Sequence, residues 1–199
     1  MGLSSRPIGI VAIAALGALG ATFGEGIRWP HGAKIPVWIE NVNVPEEQRE
    51  MVRRAFRVWE GASDGAFSFS ETQAFPPQGI RVRFVNDDEN FGETMPYLDT
   101  RTREVVKADV LLNRDIVGDP LHKQMVVYLT ALHEIGHALG LGHTDRWGCI
   151  MYKFQQSSDP PRVFVGYRKK LRSEADIGSD RASGLADEDR RALHRLYAP

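Results

Sequence analysis

The chain has 199 residues, enough for one domain with its own core and too few for two ordinary domains with linkers. Its 25 basic and 26 acidic side chains leave a formal charge of −1, so no broad field draws in a polyanion and nucleic acid is not an expected partner. A hydrophobic content of 42% with 26% charged residues argues against both disorder and a multi-span membrane protein.

The N-terminus departs from this average. After Arg6 and Pro7, the residues Ile8 to Ala21 are only Ile, Val, Leu, Ala and Gly. A basic start, a short apolar run and small residues at Ala18, Gly20 and Ala21 predict a signal peptide over residues 1–23, with an uncleaved N-terminal anchor as the alternative. Residues 24–199 are then one domain, expected outside the cytoplasm as a secreted or periplasmic monomer, free of the membrane once the leader is cut. Cys149 is the only cysteine, so no intrachain disulfide can form.

Lys34 to Asn41 alternates apolar and polar residues as a half-buried strand does. Pro45 then opens a helix, with Glu46 and Glu47 at its positive end and Val52, Ala55, Phe56 and Trp59 on one face, closing at Gly61. Strands are predicted over Phe67–Glu71 and Ile80–Val85, and an edge strand over Gly92–Leu98, where Pro96 removes a ladder donor. Glu104–Asn113 is the last strand, and Leu121–Leu139 a strongly apolar helix ended by Gly140. An irregular segment follows, then a final helix over Asp187–Tyr197. The fold class is α+β: a mixed sheet packed on two long helices, with a loop-rich C-terminal part carrying the final helix.

Residues 133–143 read HEIGHALGLGH. His133 and His137 stand at i and i+4, on one helix face and close enough to share a cation. Gly140 can end the helix and turn the chain so that His143 reaches the same ion. Three imidazoles leave a fourth tetrahedral position open for water, which is the arrangement of a catalytic rather than a structural zinc. Glu134 follows the first histidine but lies outside the ligand row, placed to act as general base toward that water. HExxH alone occurs by accident on ordinary helices; the added Gly140 and His143 make an accident improbable.

This motif, followed eight residues later by Met151 in CIMY, resembles the signature of the metzincin zinc peptidases, and the flanking segments are most similar to the matrixin branch, especially its bacterial members. The strands KIPVWIEN and IRVRFV, the helix REMVRRAFRVWE and the C-terminal LADEDRRALHRLY are similar in order and spacing to matrixin segments. The resemblance implies a metzincin-like zincin domain, one catalytic zinc, a secreted zinc-dependent endopeptidase acting on polypeptide bound in extended form along the Gly92–Leu98 edge, and Met151 packed beneath the metal without binding it. A zinc-binding interaction module without turnover is the alternative, disfavoured because Glu134 is retained.

Departures from the family pattern set further expectations. The leader runs straight into the catalytic domain, with no cysteine-bearing prodomain. His31, His122 and His194 are too scattered for a second, structural zinc. Asp87, Asp88, Glu89 and Asn90 offer oxygen ligands for calcium but lack regular spacing, so a solvated acidic loop is expected. Cys149 is expected to be a small buried hydrophobe rather than a metal regulator, and Tyr152 stands one residue too early to be an extra ligand. Residues 152–184 are longer than the matching matrixin segment, so specificity is not carried over.

Overall fold

The helix that bears the histidines is apolar nearly all round, and the rest of the molecule is arranged to bury it. The computed structural model describes residues 10–12, 26–87 and 90–198. In chain order these form β1 (Ile10–Ala12), β2 (Ala33–Ile39), α1 (Glu46–Gly61), β3 (Phe67–Glu71), β4 (Gly79–Val85), β5 (Gly92–Asp99), β6 (Val105–Asn113), α2 (Pro120–Ala138), α3 (Asp159–Arg168) and α4 (Asp187–Tyr197), with two short 3-10 turns between α3 and α4. The leader's remaining residues lie outside those described, as do Asp88 and Glu89 of the acidic cluster; its described members are joined by hydrogen bonds from Asn90 to the Asp87 carboxylate.

The sheet has six strands in the order β1-β5-β6-β4-β2-β3. β3, β2, β4 and β6 run parallel to their neighbours, and β5 pairs antiparallel with β6. β5 was expected at the edge. Instead Ile10–Ala12 adds antiparallel to its outer side at Tyr97–Asp99, so only the remainder of β5 is an edge among the described residues. Pro96 pairs with Ala108 one residue before a register shift between Tyr97 and Leu98 and lies outside the Tyr97–Asp99 stretch that β1 covers, a position at which a strand tolerates proline.

Met51, Val52, Ala55, Phe56 and Trp59 of α1 face the core. Across from them α2 buries Met125 to Leu132 without a break. The helix begins at Asp119, whose carboxylate accepts the His122 N–H at 2.9 Å, with Pro120 in the first turn where no donor is lost. Its free last-turn carbonyls find partners in the Trp29 indole N–H, which donates to Ala138 at 2.8 Å, and the Tyr197 hydroxyl, which donates to Leu139 at 3.0 Å. Trp59 donates to Leu132 at 2.8 Å. Three side chains from distant parts of the sequence therefore hold one helix, and a rigid helix is what a preorganised site needs.

The irregular reading of residues 152–184 is corrected by α3. Asp159-Pro160-Pro161 opens this helix, since proline at the first helical positions loses no donor, and Phe164 and Tyr167 one turn apart then turn one face inward. The buried Asp159 accepts the N–H groups of Gln155 and Gln156 and the Tyr152 hydroxyl, which hold its carboxyl below the usual range.

Candidate active site

Gly140 ends α2 with a φ of +99°, a left-handed conformation that favours glycine, and a Cβ there would collide with the Ile27 carbonyl. Two reasons thus require glycine at this position. The turn is closed by N–H donation from Gly140 to His137 at 2.9 Å and from Leu141 to Gly136 at 3.0 Å. The chain then swings His143 back over the helix. Thr144 bridges to Tyr152, its N–H donating to Met151 at 2.8 Å while its carbonyl accepts from Lys153 at 2.9 Å, so the segment bearing His143 is tied to the segment bearing Met151.

The three Nε2 atoms meet: His133 and His137 at 3.1 Å, His137 and His143 at 3.1 Å, His133 and His143 at 3.2 Å. The outer nitrogens of His133 and His137 explain why the contact between those two is not a hydrogen bond. His133 Nδ1 faces the Ile150 carbonyl at 2.6 Å and His137 Nδ1 faces the Leu141 carbonyl at 2.8 Å. A carbonyl only accepts, so the Nδ1 of His133 and of His137 carries the proton and the Nε2 of each turns a lone pair inward toward His143 Nε2. Lone pairs converging at this distance repel unless a cation lies between them, and tetrahedral ligands at a Zn–N distance of about 2.0–2.1 Å stand about 3.3 Å apart. The donor set fits zinc. Among the described residues, these three form the group of His, Cys, Asp or Glu side chains able to close on one ion.

Electrostatics keep the set in its ligand form. Burial, then the neighbouring His133 and His143, depress the His137 pKa well below the ordinary value. Burial, then His133 and Lys153, bring His143 to about 4. Both imidazoles are neutral at neutral pH, as metal ligation requires.

Glu134 is buried beside the set. Its Oε2 accepts from the Thr94 hydroxyl at 2.7 Å, and the same hydroxyl lies 2.9 Å from its backbone carbonyl. Burial raises the carboxyl pKa, opposed by His133 and by the Thr94 hydrogen bond. Gly92 makes the approach of β5 possible, since a Cβ there would lie 2.7 Å from Thr130 Cγ2 and 2.8 Å from Glu134 Cγ. A carboxylate held at high free energy is a better proton acceptor than one in water.

Met151 is 2% exposed and lies under the helix turn between the first two histidines, where a Cβ on Gly136 would overlap its sulfur. Trp59 closes the same contact. Sequence reasoning missed the residue that fixes this turn: Asp189 of α4, 2% exposed, accepts the N–H of Ile150 at 2.9 Å, of Met151 at 3.3 Å and of Ala186 at 2.8 Å. Asp189 positions Ile150, and the Ile150 carbonyl in turn positions His133. An acidic residue in the first turn of the final helix was the available signal, and it reads equally well as a dipole partner. Thr94 had no signal at all. Cys149 is half-buried and its thiol is pushed up by burial and by the Asp189 and Glu188 carboxylates, which favours the thiol over the thiolate.

Neutral imidazoles around an open position beside a buried carboxylate define the class of catalytic metallopeptidase centres, and the comparisons fall in that class. The family model described as Matrixin (Peptidase_M10) matches residues 35–165. The "Metalloendoproteinase 2-MMP" of Arabidopsis thaliana is 26% identical over 172 residues, covering 79% of this chain and 42% of its own length. The "Hatching enzyme" of Paracentrotus lividus is 28% identical over 158 residues (72% of this chain, 24% of the relative), and human "Matrix metalloproteinase-15" is 32% identical over 136 residues (55% and 18%). The chain thus spans less than half the length of these curated relatives. With more than half of its residues matched, it belongs to the matrixin family of metzincin metallopeptidases.

Proposed function

We propose that this chain is an exported zinc-dependent endopeptidase in which His133, His137 and His143 hold the metal and Glu134 is the general base. The observation that carries the reading is the convergence of three imidazole Nε2 atoms next to a buried, hydrogen-bonded carboxylate. Zinc bound there supplies Lewis acidity, lowering the pKa of water and polarising a peptide carbonyl. Glu134 Oε2 takes the proton of the attacking water and returns it to the departing amine. Thr94 holds the carboxylate in one orientation throughout. The histidine Nδ1–H bonds to Ile150 and Leu141 fix the imidazole planes, and Met151 gives them a packed floor.

The substrate is polypeptide in extended form, added as a strand along β5. Support comes from the chain itself: Ile10–Ala12 pairs antiparallel with Tyr97–Asp99, from Ile10 opposite Asp99 to Ala12 opposite Tyr97. A peptide with that polarity approaches Glu134 with its N-terminal part and leaves past Gly92 with its C-terminal part. Export rests on the leader composition, and no helix of the described residues is long and apolar enough to cross a membrane.

The test is to digest an unstructured protein with the zinc-loaded chain and sequence the products by mass spectrometry. Internal cuts that stop with a chelator and return with zinc are expected. A zinc-loaded chain that leaves every peptide bond intact refutes the activity and favours a binding module.

A further inference from the structure

α3 ends in a basic run that the metal site does not use. Between Pro160 and Ser173 the chain carries Arg162, Arg168, Lys169, Lys170 and Arg172 and no acidic residue, in a molecule whose formal charge is −1. All of these cations are exposed. Phe164, Tyr167 and Leu171 turn the other side of this segment inward, so Arg162, Val165, Arg168 and Lys169 share the outer face at helical spacing. Among the described residues, no carboxylate forms a salt bridge with Arg168, Lys169, Lys170 or Arg172. The acids nearby are otherwise engaged. Asp176 accepts the Arg172 N–H but pairs with the Arg181 guanidinium at 3.1 Å, and the buried Asp159 accepts the N–H groups of Gln155 and Gln156, with Arg162 3.9 Å away. Unpaired cations gathered on one face of a chain that is otherwise net acidic attract an anionic partner.

The apolar side chains among them indicate which kind. Val165, 55% exposed, and Val117, 88% exposed, stand with Arg168 around one concavity, which Asp115 also lines. The surface continues through Arg162, whose guanidinium lies 4.6 Å over the Trp147 ring, to Tyr152 and Phe154; Trp147 is 49% exposed and Phe154 42%. A soluble polyanion needs cations alone. A bilayer takes cations at the level of its phosphates and aromatic and aliphatic tips just below them. We propose that this face docks peripherally on an anionic lipid bilayer. The contact depends neither on the leader nor on peptide cleavage, and it replaces the expectation of a chain free of the membrane once the leader is cut.

The test is co-sedimentation of the full chain with vesicles of phosphatidylcholine alone or with about 30% phosphatidylserine, an anionic surface of the required kind. Each Lys or Arg near such a surface is worth about fivefold in partition. Lys169→Gln/Lys170→Gln is therefore expected to lower partition onto the anionic vesicles about 20-fold, and Val165→Ser and Trp147→Ser at least threefold each, all with Tm unchanged. Arg101→Gln/Arg103→Gln, exposed on the β5–β6 turn at the far end of β5 from Phe91, should bind as the parent does. Equal partition of the parent onto both vesicle types assigns attachment to the apolar run Ile8–Ala21 and overturns the proposal. An equal loss in the two double variants shows diffuse charge and overturns it too. Partition that ignores both Val165→Ser and Trp147→Ser, with dextran sulfate bound as tightly as the vesicles, assigns the face to a soluble polyanion instead.

Discussion

Replacing Gly136 by alanine sets two effects against each other. In the middle of a helix, glycine to alanine gains about 1 kcal/mol of propensity. At this position, however, a Cβ would overlap Met151 Sδ and lie 3.1 Å from Trp59 Cζ2, both side chains being buried. Overpacking of this kind costs about 1–3 kcal/mol. Met151 is flexible enough to move aside, but only by leaving the floor beneath His133 and His137, and Trp59 is held by its bond to Leu132. The expected balance is a net loss of up to about 2 kcal/mol, which lowers Tm by about 2–8 °C in a domain of this size. Zinc affinity should fall about 10–100-fold, the usual consequence of disturbing groups that orient ligands. Calorimetry on the metal-free protein and competition with a chromogenic chelator read the two quantities separately. A Tm that rises with unchanged zinc affinity would show that propensity wins and that Met151 does not floor the site.

Further outcomes follow from the groups around the metal. Asp189→Ala strips the acceptor from three N–H groups, each costing about 1–3 kcal/mol when buried and unpaired, so a loss of about 3 kcal/mol or more is expected in denaturant titration, together with weaker zinc binding through Ile150 and His133. Asp189→Asn, which keeps one oxygen, should lose less. Because burial raises the Glu134 pKa in the folded chain, the unfolded chain binds fewer protons in the window between the ordinary carboxylate value and the raised one, so this group makes metal-free stability fall as pH rises through that window. Glu134→Gln should therefore melt higher than the parent at neutral pH without metal, and the two should converge in acid; equal melting at all pH values would contradict the burial argument.

α2 was legible because two independent signals agree on it, an unbroken apolar run and a glycine stop; it was expected over Leu121–Leu139 and forms over Pro120–Ala138. The three histidines were legible for a similar reason, since helix spacing and one left-handed glycine almost determine where their rings go. α3 was read as part of an irregular segment, although its adjacent prolines sit in the first helical turn, where proline costs no donor. β1 was invisible because its pairing lies in an apolar run with no alternation, so nothing local separates strand from helix. Asp189 and Thr94 escaped for a different reason. Their partners are 38 to 40 residues away in sequence, and such contacts are set by packing rather than by local pattern.

The central claim is that Glu134 performs the proton transfer while contributing no bond to the metal. It is tested most directly by measuring zinc stoichiometry and kcat/KM for Glu134→Gln beside the parent on one quenched-fluorescence peptide. General acid–base groups contribute about 10²–10⁴-fold, so kcat/KM should fall by about that factor, or roughly 3 to 5 kcal/mol of barrier, with one zinc still bound per chain. Parent-like cleavage by Glu134→Gln, or loss of its zinc, would contradict the account.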